Sequence, residues 1–529
     1  MKEQLFCSIA YNVHDSSVSF AVDNRVILVL EAERIFRIKK KGFNNKKEMQ
    51  YLVQYGLTYL KKRADDVTGW SMTTHQNPHL DREDVFDLKT GLPREPYWKK
   101  VRILGKKRNV LIVNHHLAHA ATYLMSDLND AVIVTCDGGG DYNELYKKGE
   151  CIGVYKGKGN IITRSDVEID GMINGKFYGA CSHFLYGDVH CEGKMMALSS
   201  YGIPNKKIIE KLKGVSDELG TAFYQDSAEI LRKLFPEIEE GNVSIDNKNV
   251  VDFSASVQKF FSDQRAKDIS TVLKHIGKES SNLVMAGGAS LNLDVNTVIF
   301  RKFPAMNHYI ASCCDDTGQS LGAICILIAN VLNIRPIVGL PYLGMGEKKT
   351  IYNMESVDKV VEVLLKDGIA ILHNGQAEIG PRALGNRSLI ARADKIEVKK
   401  KLSEKIKQRE GYRPVAPIVI EEKIHKYFVG PDTSPFMLYK YDVIKSAQKK
   451  IVGGVHHDGS ARVQTVNKET NPFLYDLIRR FGDRTGIYVL LNTSLNLKGD
   501  PIANTIKDTR EIYNKIDGPK IMVYNGKIQ

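Results

Sequence analysis

The chain has 529 residues, enough for two to four domains, and its 43% hydrophobic and 26% charged composition is that of a soluble enzyme rather than a disordered segment. Its longest apolar run, Gly322 to Leu332, is too short to span a bilayer, the N-terminus has no signal-peptide pattern, and the eight cysteines form no C-x-x-C, so a cytosolic protein with reduced thiols is expected. Lys and Arg exceed Asp and Glu by 75 − 62 = 13, which suggests an anionic substrate or a polyanionic partner, with lysine-rich genome composition as the plain alternative.

Phe6 to Tyr11, Ser17 to Val22 and Val26 to Leu30 read as three short strands, with the polar tip His14-Asp15 between the first two. The pattern resembles the opening hairpins of an actin-like (ASKHA) lobe. A dense basic cluster, Arg37 to Lys41, precedes a helix expected over Lys46 to Lys61. Gly69 to Pro96 reads as a polar loop carrying Trp70, His75 and His79, followed by Tyr97, Trp98 and the basic groups Lys99 to Arg102 and Lys106 to Arg108. Cations interleaved with exposed aromatics can hold nucleic acid through phosphate contacts and base stacking. A solvated insertion would show the same letters.

The most informative stretch is Asn114-His115-His116-Leu117-Ala118-His119, after the buried strand Asn109 to Val113. Residues four apart share a helix face, so His115 and His119 can point at one ion, at the carboxyl end of a strand where open α/β sheets bind ligands. A second strand, Ala131 to Cys136, delivers Asp137 nearby, and imidazoles with carboxylates suit iron, zinc or manganese. Helices are expected from Asn174 and Glu192, peripheral helices and loops over Lys206 to Asn249, and a helix over Val257 to Leu273. The strand Asn282 to Ala286 then runs into Gly287-Gly288-Ala289-Ser290-Leu291-Asn292, where glycines let backbone N–H groups approach a phosphate. Asp315-Asp316-Thr317-Gly318 repeats the arrangement at another helix mouth, making Asp316 a candidate fourth metal ligand. No internal repeat is evident. The Pro/Gly-rich stretch Pro336 to Gly346 marks the main boundary, giving domains 1–345 and 346–529.

Beyond it lie Gly380-Pro381-Arg382-Ala383-Leu384-Gly385-Asn386-Arg387-Ser388, Lys407-Gln408-Arg409, Arg413-Pro414-Val415-Ala416-Pro417, Asp458-Gly459-Ser460-Ala461-Arg462 and Leu491-Asn492-Thr493-Ser494-Leu495-Asn496. These blocks, with His14-Asp15, the HHLAHA helix, EGKMMALSSYG and GGASLN, resemble the O-carbamoyltransferases of the nodulation-factor and antibiotic-tailoring type, the NodU/CmcH family. The likeness covers nearly the whole chain except roughly residues 65–108 and 205–250. One departure is that Asp137 is followed by Gly138-Gly139-Gly140-Asp141, where the family commonly has a Gly-Glu pair.

The resemblance implies an α/β enzyme with an N-terminal actin-like (ASKHA) metal-binding domain and a C-terminal YrdC-like domain. It implies ATP, as its Mg²⁺ complex, and carbamoyl phosphate as co-substrates, a carbamoyl-adenylate intermediate and a hydroxyl acceptor. Metal ligands would be His115, His119, Asp137 and Asp316, with Fe²⁺ expected and Zn²⁺ or Mn²⁺ as alternatives. The catalytic set would be His14, as candidate base, with Lys407 and Arg409. Substrate and phosphate binding would fall to Asp15, Lys194, Gly287, Gly288, Asn292, Arg382, Arg387, Arg413, Arg462, Ser494 and Asn496. Guanidinium forks grip phosphates bidentately, so such a cluster suits two polyanionic substrates. The net charge and the insertion at 97–108 favour a hydroxymethylated pyrimidine acceptor such as 5-hydroxymethylcytosine, in nucleotide or DNA, as in phage-type members acting in a host cytoplasm. A small hydroxylated metabolite is the alternative. A threonylcarbamoyl transfer to tRNA and a non-enzymatic nucleic-acid binder are weaker. Neither a membrane nor an obligate protein partner is expected.

Overall fold

The computed structural model describes residues 3–74, 96–140, 142–143, 148–167, 169 and 173–529. Strands β1 (Leu5–Tyr11), β2 (Ser17–Val22) and β3 (Arg25–Glu31) form an antiparallel meander. β4 (Val67–Thr74) adds parallel to β1, and β6 (Lys106–Val113) adds parallel to β4. β5 (Tyr97–Ile103) closes the edge as the antiparallel partner of β6, so the sheet order is β3-β2-β1-β4-β6-β5.

A second sheet is built the same way. β7 (Asp130–Cys136) pairs antiparallel with β8 (Ile152–Lys158), which pairs antiparallel with β9 (Ile161–Arg164). β10 (Asn282–Ala286) lies parallel to β7, and β11 (Asn307–Tyr309) parallel to β10, giving the order β9-β8-β7-β10-β11. Setting aside the edge strand β5, both sheets therefore have the order 3-2-1-4-5 when each is numbered from its own first strand. The N-terminal part is a pair of topologically repeated lobes, the actin-like architecture expected, and this repeat corrects the absence of one in the sequence. Backbone pairing carries the repeat. It needs only strand-compatible residues in each lobe, so no matching letters survive to be read.

The helix Gln319–Leu332 packs against β1, β2 and β4 and against the His115–Ala120 helix, which is why almost all of its side chains are buried. Its polar Ser320 is satisfied by Ser17 and Ser19, each 2.7 Å away. The helix Lys248–Ile276 starts nine residues earlier than the sequence pattern suggests, because Asn247 caps it by accepting from Asn249 and Val250. Among the described residues, no helix is long and apolar enough to cross a membrane.

The expected loop from Gly69 is corrected at its start. Val67–Thr74 is an internal strand, with Trp70 only 3% exposed and Ser71 and Thr73 also buried, so hydrophobic alternation is hidden by small polar residues on a fully covered sheet. His75 and His79 lie outside the described residues. The basic insertion is an edge hairpin turned at Leu104-Gly105, where both φ are positive.

The C-terminal part holds a seven-stranded mixed sheet whose central strands are Ile369–His373, Arg387–Arg392, Val489–Ser494 and Ala416–Ile420. It is joined to the first lobe by buried charge. Arg34 donates to the carbonyls of Glu378 and, at 2.9 Å, of Gly380, while Gly380 N–H donates to Glu31 Oε1 at 2.7 Å. Arg37 donates to the carbonyls of Pro501 and Ile502.

Candidate active site

β6 ends at Val113 and Asn114 turns the chain into a helix, its Oδ1 accepting from His116 N at 2.9 Å and Leu117 N at 3.3 Å. This fixes the helix so that His115 and His119, 1% and 2% exposed, face Asp137 at the end of β7 and Asp316 in the loop before the Gln319–Leu332 helix. His119 Nε2 lies 3.1 Å from Asp137 Oδ2 and 3.2 Å from Asp316 Oδ1, and His115 Nε2 lies 3.6 Å from Asp316 Oδ1. One donor atom from each of the four residues falls within 4.8 Å of the others. Asp137 is aimed by two backbone donors, Gly138 N at 2.6 Å and Gly288 N at 2.7 Å. His116 faces away and is tied to Thr135 Oγ1 and the Glu150 carbonyl, both at 2.8 Å.

The electrostatics of this cluster ask for positive charge. Burial and the neighbouring Asp316 charge both oppose ionising Asp137, and His119 overrides them, holding the carboxyl at about 2. Burial opposes charge on His119 as well, yet Asp137 and Asp316 lift it to about 10. Two buried carboxylates are thus compensated by protons on imidazole. A divalent cation is the alternative compensation, and it would use all four donors in their ordinary neutral-imidazole and carboxylate forms. The donor set fits a metal.

His14 sits beside this cluster, its Nδ1 3.0 Å from Asp15 Oδ2 and 3.6 Å from Asp316 Oδ2. Desolvation disfavours its charge, but Asp15 and Asp316 raise it to about 9. Asp15, held in a left-handed conformation (φ 53°), also accepts from Lys40 at 2.8 Å.

The C-terminal residues form the opposite arrangement. Lys407 follows a π-helical turn, Lys401–Ile406, and its Nζ donates to Ser494 O and Asn496 O at 2.7 Å and to the side chains of both residues. Burial, then Arg409, Lys39 and Arg413, push its pKa well down. Burial likewise lowers Arg382, Arg409 and Arg462, with Arg413 adding to the effect on all three and Arg382 to that on the other two, and Arg409 falls to about 10. Among the described residues, the buried Nε atoms of Arg382 and Arg462 have no hydrogen-bond partner. Crowded guanidiniums with idle donors form a site for a polyanion.

A cavity of about 1430 Å³ has His14, Asp15, His115, Asp137 and Asp316 in its wall together with Arg382, while Lys407, Arg409, Arg413 and Arg462 are not part of that wall. Gly288 and Asn292 also line it. Asn292 is occupied in capping the Leu293–Lys302 helix and in bonding Gln258, and Gly287 (φ 87°) turns the backbone after β10.

Two expected binding residues stand elsewhere. Arg387 is fully buried, and its guanidinium donates to the carbonyls of Asn374 (2.8 Å) and Met345 (3.0 Å), so its two terminal nitrogens tie loops together and only its buried Nε is left without a hydrogen-bond partner among the described residues. Lys194 reaches Glu410 at 3.3 Å and overlies Tyr186 between the domains, outside the cavity wall. Lys39, Lys40 and Phe223 gained no role from the sequence. The dense Arg37–Lys41 cluster was a usable signal for the lysines, and Phe223 left none.

Opposite charge in the two clusters, with Asp316 and Arg382 sharing one cavity wall, suits an enzyme that receives an anionic donor at one cluster and an acceptor at the other. The family model described as Carbamoyltransferase N-terminus matches residues 5–325 and the one described as Carbamoyltransferase C-terminus matches residues 361–527. The chain therefore belongs to the carbamoyltransferase family, and its reaction is enzymatic transfer of a carbamoyl group to oxygen. Among its relatives, the nodulation protein NolNO of Sinorhizobium fredii is 28% identical across 96% of this chain and 78% of its own length. The 3'-hydroxymethylcephem-O-carbamoyltransferase of Amycolatopsis lactamdurans is 34% identical across 44% of this chain and 45% of its own. Among solved structures, component A of the (R)-2-hydroxyglutaryl-CoA dehydratase of Acidaminococcus fermentans aligns at 10% identity with a TM-score of 0.36, over 62% of this chain and 98% of that one.

Proposed function

We propose that the protein is an ATP-dependent O-carbamoyltransferase that converts carbamoyl phosphate, ATP and water into a carbamoyl-adenylate with release of phosphate and pyrophosphate, and transfers the carbamoyl group to the hydroxymethyl group of a 5-hydroxymethylpyrimidine, such as 5-hydroxymethylcytosine, in nucleotide or DNA. The observation that carries this reading is a cavity whose wall includes His115, Asp137 and Asp316, three members of the four-residue donor cluster that His119 completes, together with Arg382. Residues 346–529 make the adenylate: Lys407, held by Ser494 and Asn496, and the arginines 382, 409, 413 and 462 receive the phosphates of carbamoyl phosphate and MgATP. Residues 1–345 carry out the transfer.

In that step the acceptor oxygen bonds to the carbamoyl carbon, the bond from that carbon to the phosphate oxygen breaks, and AMP leaves with the electron pair. The hydroxyl proton passes to His14 in its neutral form, oriented by Asp15 at 3.0 Å; a cation held by Asp316 would offset one of the carboxylate charges that keep this imidazole protonated. A divalent cation, iron before zinc or manganese, held by His115, His119, Asp137 and Asp316 would supply Lewis acidity.

Two features support the acceptor. One relative is named for a hydroxymethyl acceptor. The edge hairpin presents Trp98, 48% exposed, with Lys100, Arg102 and Lys107 exposed around it, a surface suited to a phosphate backbone. A small hydroxylated molecule is the second reading, favoured by the names of the nodulation and cephem relatives. The test is mass spectrometry of nucleosides after incubation with ATP, carbamoyl phosphate and either 5-hydroxymethylcytosine-containing DNA or the free nucleotide. A carbamoyl increment on the base is expected. ATP turnover to AMP with neither substrate modified would refute the pyrimidine acceptor and favour the small-molecule reading.

A further inference from the structure

One wall of the cavity comes from a segment that lies outside the blocks resembling the family. Phe223, at the start of the Tyr224–Leu234 helix, lines the cavity with 77% of its surface exposed, the highest exposure of a large hydrophobic side chain among the described residues. Lys176 stands over its ring, Nζ 5.7 Å from the centroid, and is tethered there by donating to the Thr221 carbonyl at 2.8 Å. Lys176 is the second residue of the Gly175–Tyr186 helix, whose start packs on the Asp137-Gly138 backbone so closely that a Cβ on Gly175 would sit 2.6 Å from Gly138 N. The ring is therefore held in a fixed relation to one of the metal-type donors. Tyr224, Tyr178 and Phe261 continue the same wall. An apolar face left in water at a cavity wall marks a ligand contact, because binding removes that exposure.

We infer that Phe223 is a stacking platform for a planar heteroaromatic base bound in this cavity. The inference rests on the proposed reaction in one respect: that reaction brings such a base to the site, either as the adenine of the adenylate or as the pyrimidine of the acceptor. An aromatic face accepts either ring, because stacking makes little use of the hydrogen-bonding edge. The tethered ammonium adds a fixed positive charge beside a ligand that carries phosphate in both cases.

The test replaces Phe223 by Trp, Ala and Leu in the full-length protein. Phe223→Trp is titrated with AMP, with 5-hydroxymethyl-dCMP and with glucose, using the wild-type titration to subtract the two native tryptophans. Indole fluorescence quenched by a nucleotide is expected, with Phe223→Ala weakening that nucleotide about fivefold or more and Phe223→Leu failing to restore it. Quenching by AMP assigns the platform to the donor's adenine, and quenching by the hydroxymethyl nucleotide assigns it to the acceptor. If Phe223→Ala binds both nucleotides as the wild type does, if Leu serves as well as Phe, or if only the sugar responds, the stacking platform is overturned. The reaction assay separates the two claims: loss of AMP affinity in Phe223→Ala with no carbamoylated pyrimidine formed by the wild type keeps the platform and removes the acceptor reading.

Discussion

The metal-type cluster at the N-terminal end of the site and the Lys407 and arginine cluster at its C-terminal end are electrostatic opposites made by different means. The N-terminal end gathers two carboxylates and two imidazoles from the helix after β6, the end of β7 and one loop, and His119 holds an extra proton that offsets the carboxylates. The C-terminal end gathers Lys407 and the arginines at 382, 409 and 462, and their pKa values fall because burial and neighbouring cations outweigh the nearby carboxylates Asp315, Glu410 and Asp500. One end compensates its charge internally, and the other is left with an excess of cations that its carboxylates do not offset. The arginine end is therefore the strained one without its ligand, and substrate anions stabilise it as they bind.

The largest effects should come from disabling each end separately. His119→Ala is expected to lose bound divalent metal, read by elemental analysis of the purified protein, and to lower carbamoyl transfer by roughly two to three orders of magnitude while leaving ATP–pyrophosphate exchange in place. Lys407→Ala is expected to keep the metal but lose exchange by a similar factor, and transfer with it because the adenylate is the carbamoyl donor, while transfer from added carbamoyl-adenylate survives. Equal loss of both activities in both variants would mean that the ends do not divide the reaction.

The joint between the ends comes next. Gly380 has φ 97°, and a Cβ there would lie 2.3 Å from the Ser312 carbonyl, just before the loop that carries Asp316. Gly380→Ala should cost about 3 kcal/mol or more, from left-handed strain plus displaced backbone, read by denaturant unfolding. If transfer falls further than pyrophosphate exchange in the folded variant, the register between Arg382 and Asp316 matters to the second step alone.

Smaller in size but sharper in sign is Arg462→Met. Removing one of the mutually repelling cations should raise the melting temperature of the ligand-free protein, by about 2–4 °C for each kcal/mol of repulsion relieved, and abolish the shift produced by pyrophosphate. Lys407 gives the matching pH behaviour. Its folded pKa lies below that of the unfolded chain, so the unfolded state binds its proton more tightly. Stability from this group therefore rises as pH climbs from the folded pKa toward the ordinary lysine range, and pyrophosphate should flatten the rise.

What the sequence revealed follows from how local each signal is. His115 and His119 were legible because helix spacing puts them on one face, and Asp137 because it ends an apolar strand; Lys407, Ser494 and Asn496 were legible only through the family blocks. Trp70 misled because β4 is covered on both faces, so Ser71 and Thr73 are buried beside it and no alternation survives. Arg387 misled because a guanidinium donating to carbonyls and one gripping phosphate are the same letter. The repeated 3-2-1-4-5 sheet order lay in backbone pairing, which leaves no residue pattern, and Phe223 was one aromatic in a charged segment.

The smallest expected effect concerns the edge hairpin, and it bears on whether the arginine end has a remote extension for a polymer. Lys106 and Arg108 are paired with Asp65, so they are poor candidates for phosphate contacts. Lys100 and Lys107 are exposed, and Asn109 opposite Lys100 and Arg102 opposite Lys107 add no negative charge to that face. If hydroxymethylated DNA is the acceptor, each phosphate contact made here should contribute about one unit to the slope of log affinity against log salt, and the double variant Lys100→Ala, Lys107→Ala should reduce that slope by up to about two units. Activity on the free nucleotide should stay unchanged, because the hairpin lies outside the cavity wall. An unchanged slope with DNA would confine recognition to the cavity and leave the hairpin as a solvated edge, whose lysines guard an exposed strand against pairing with another chain.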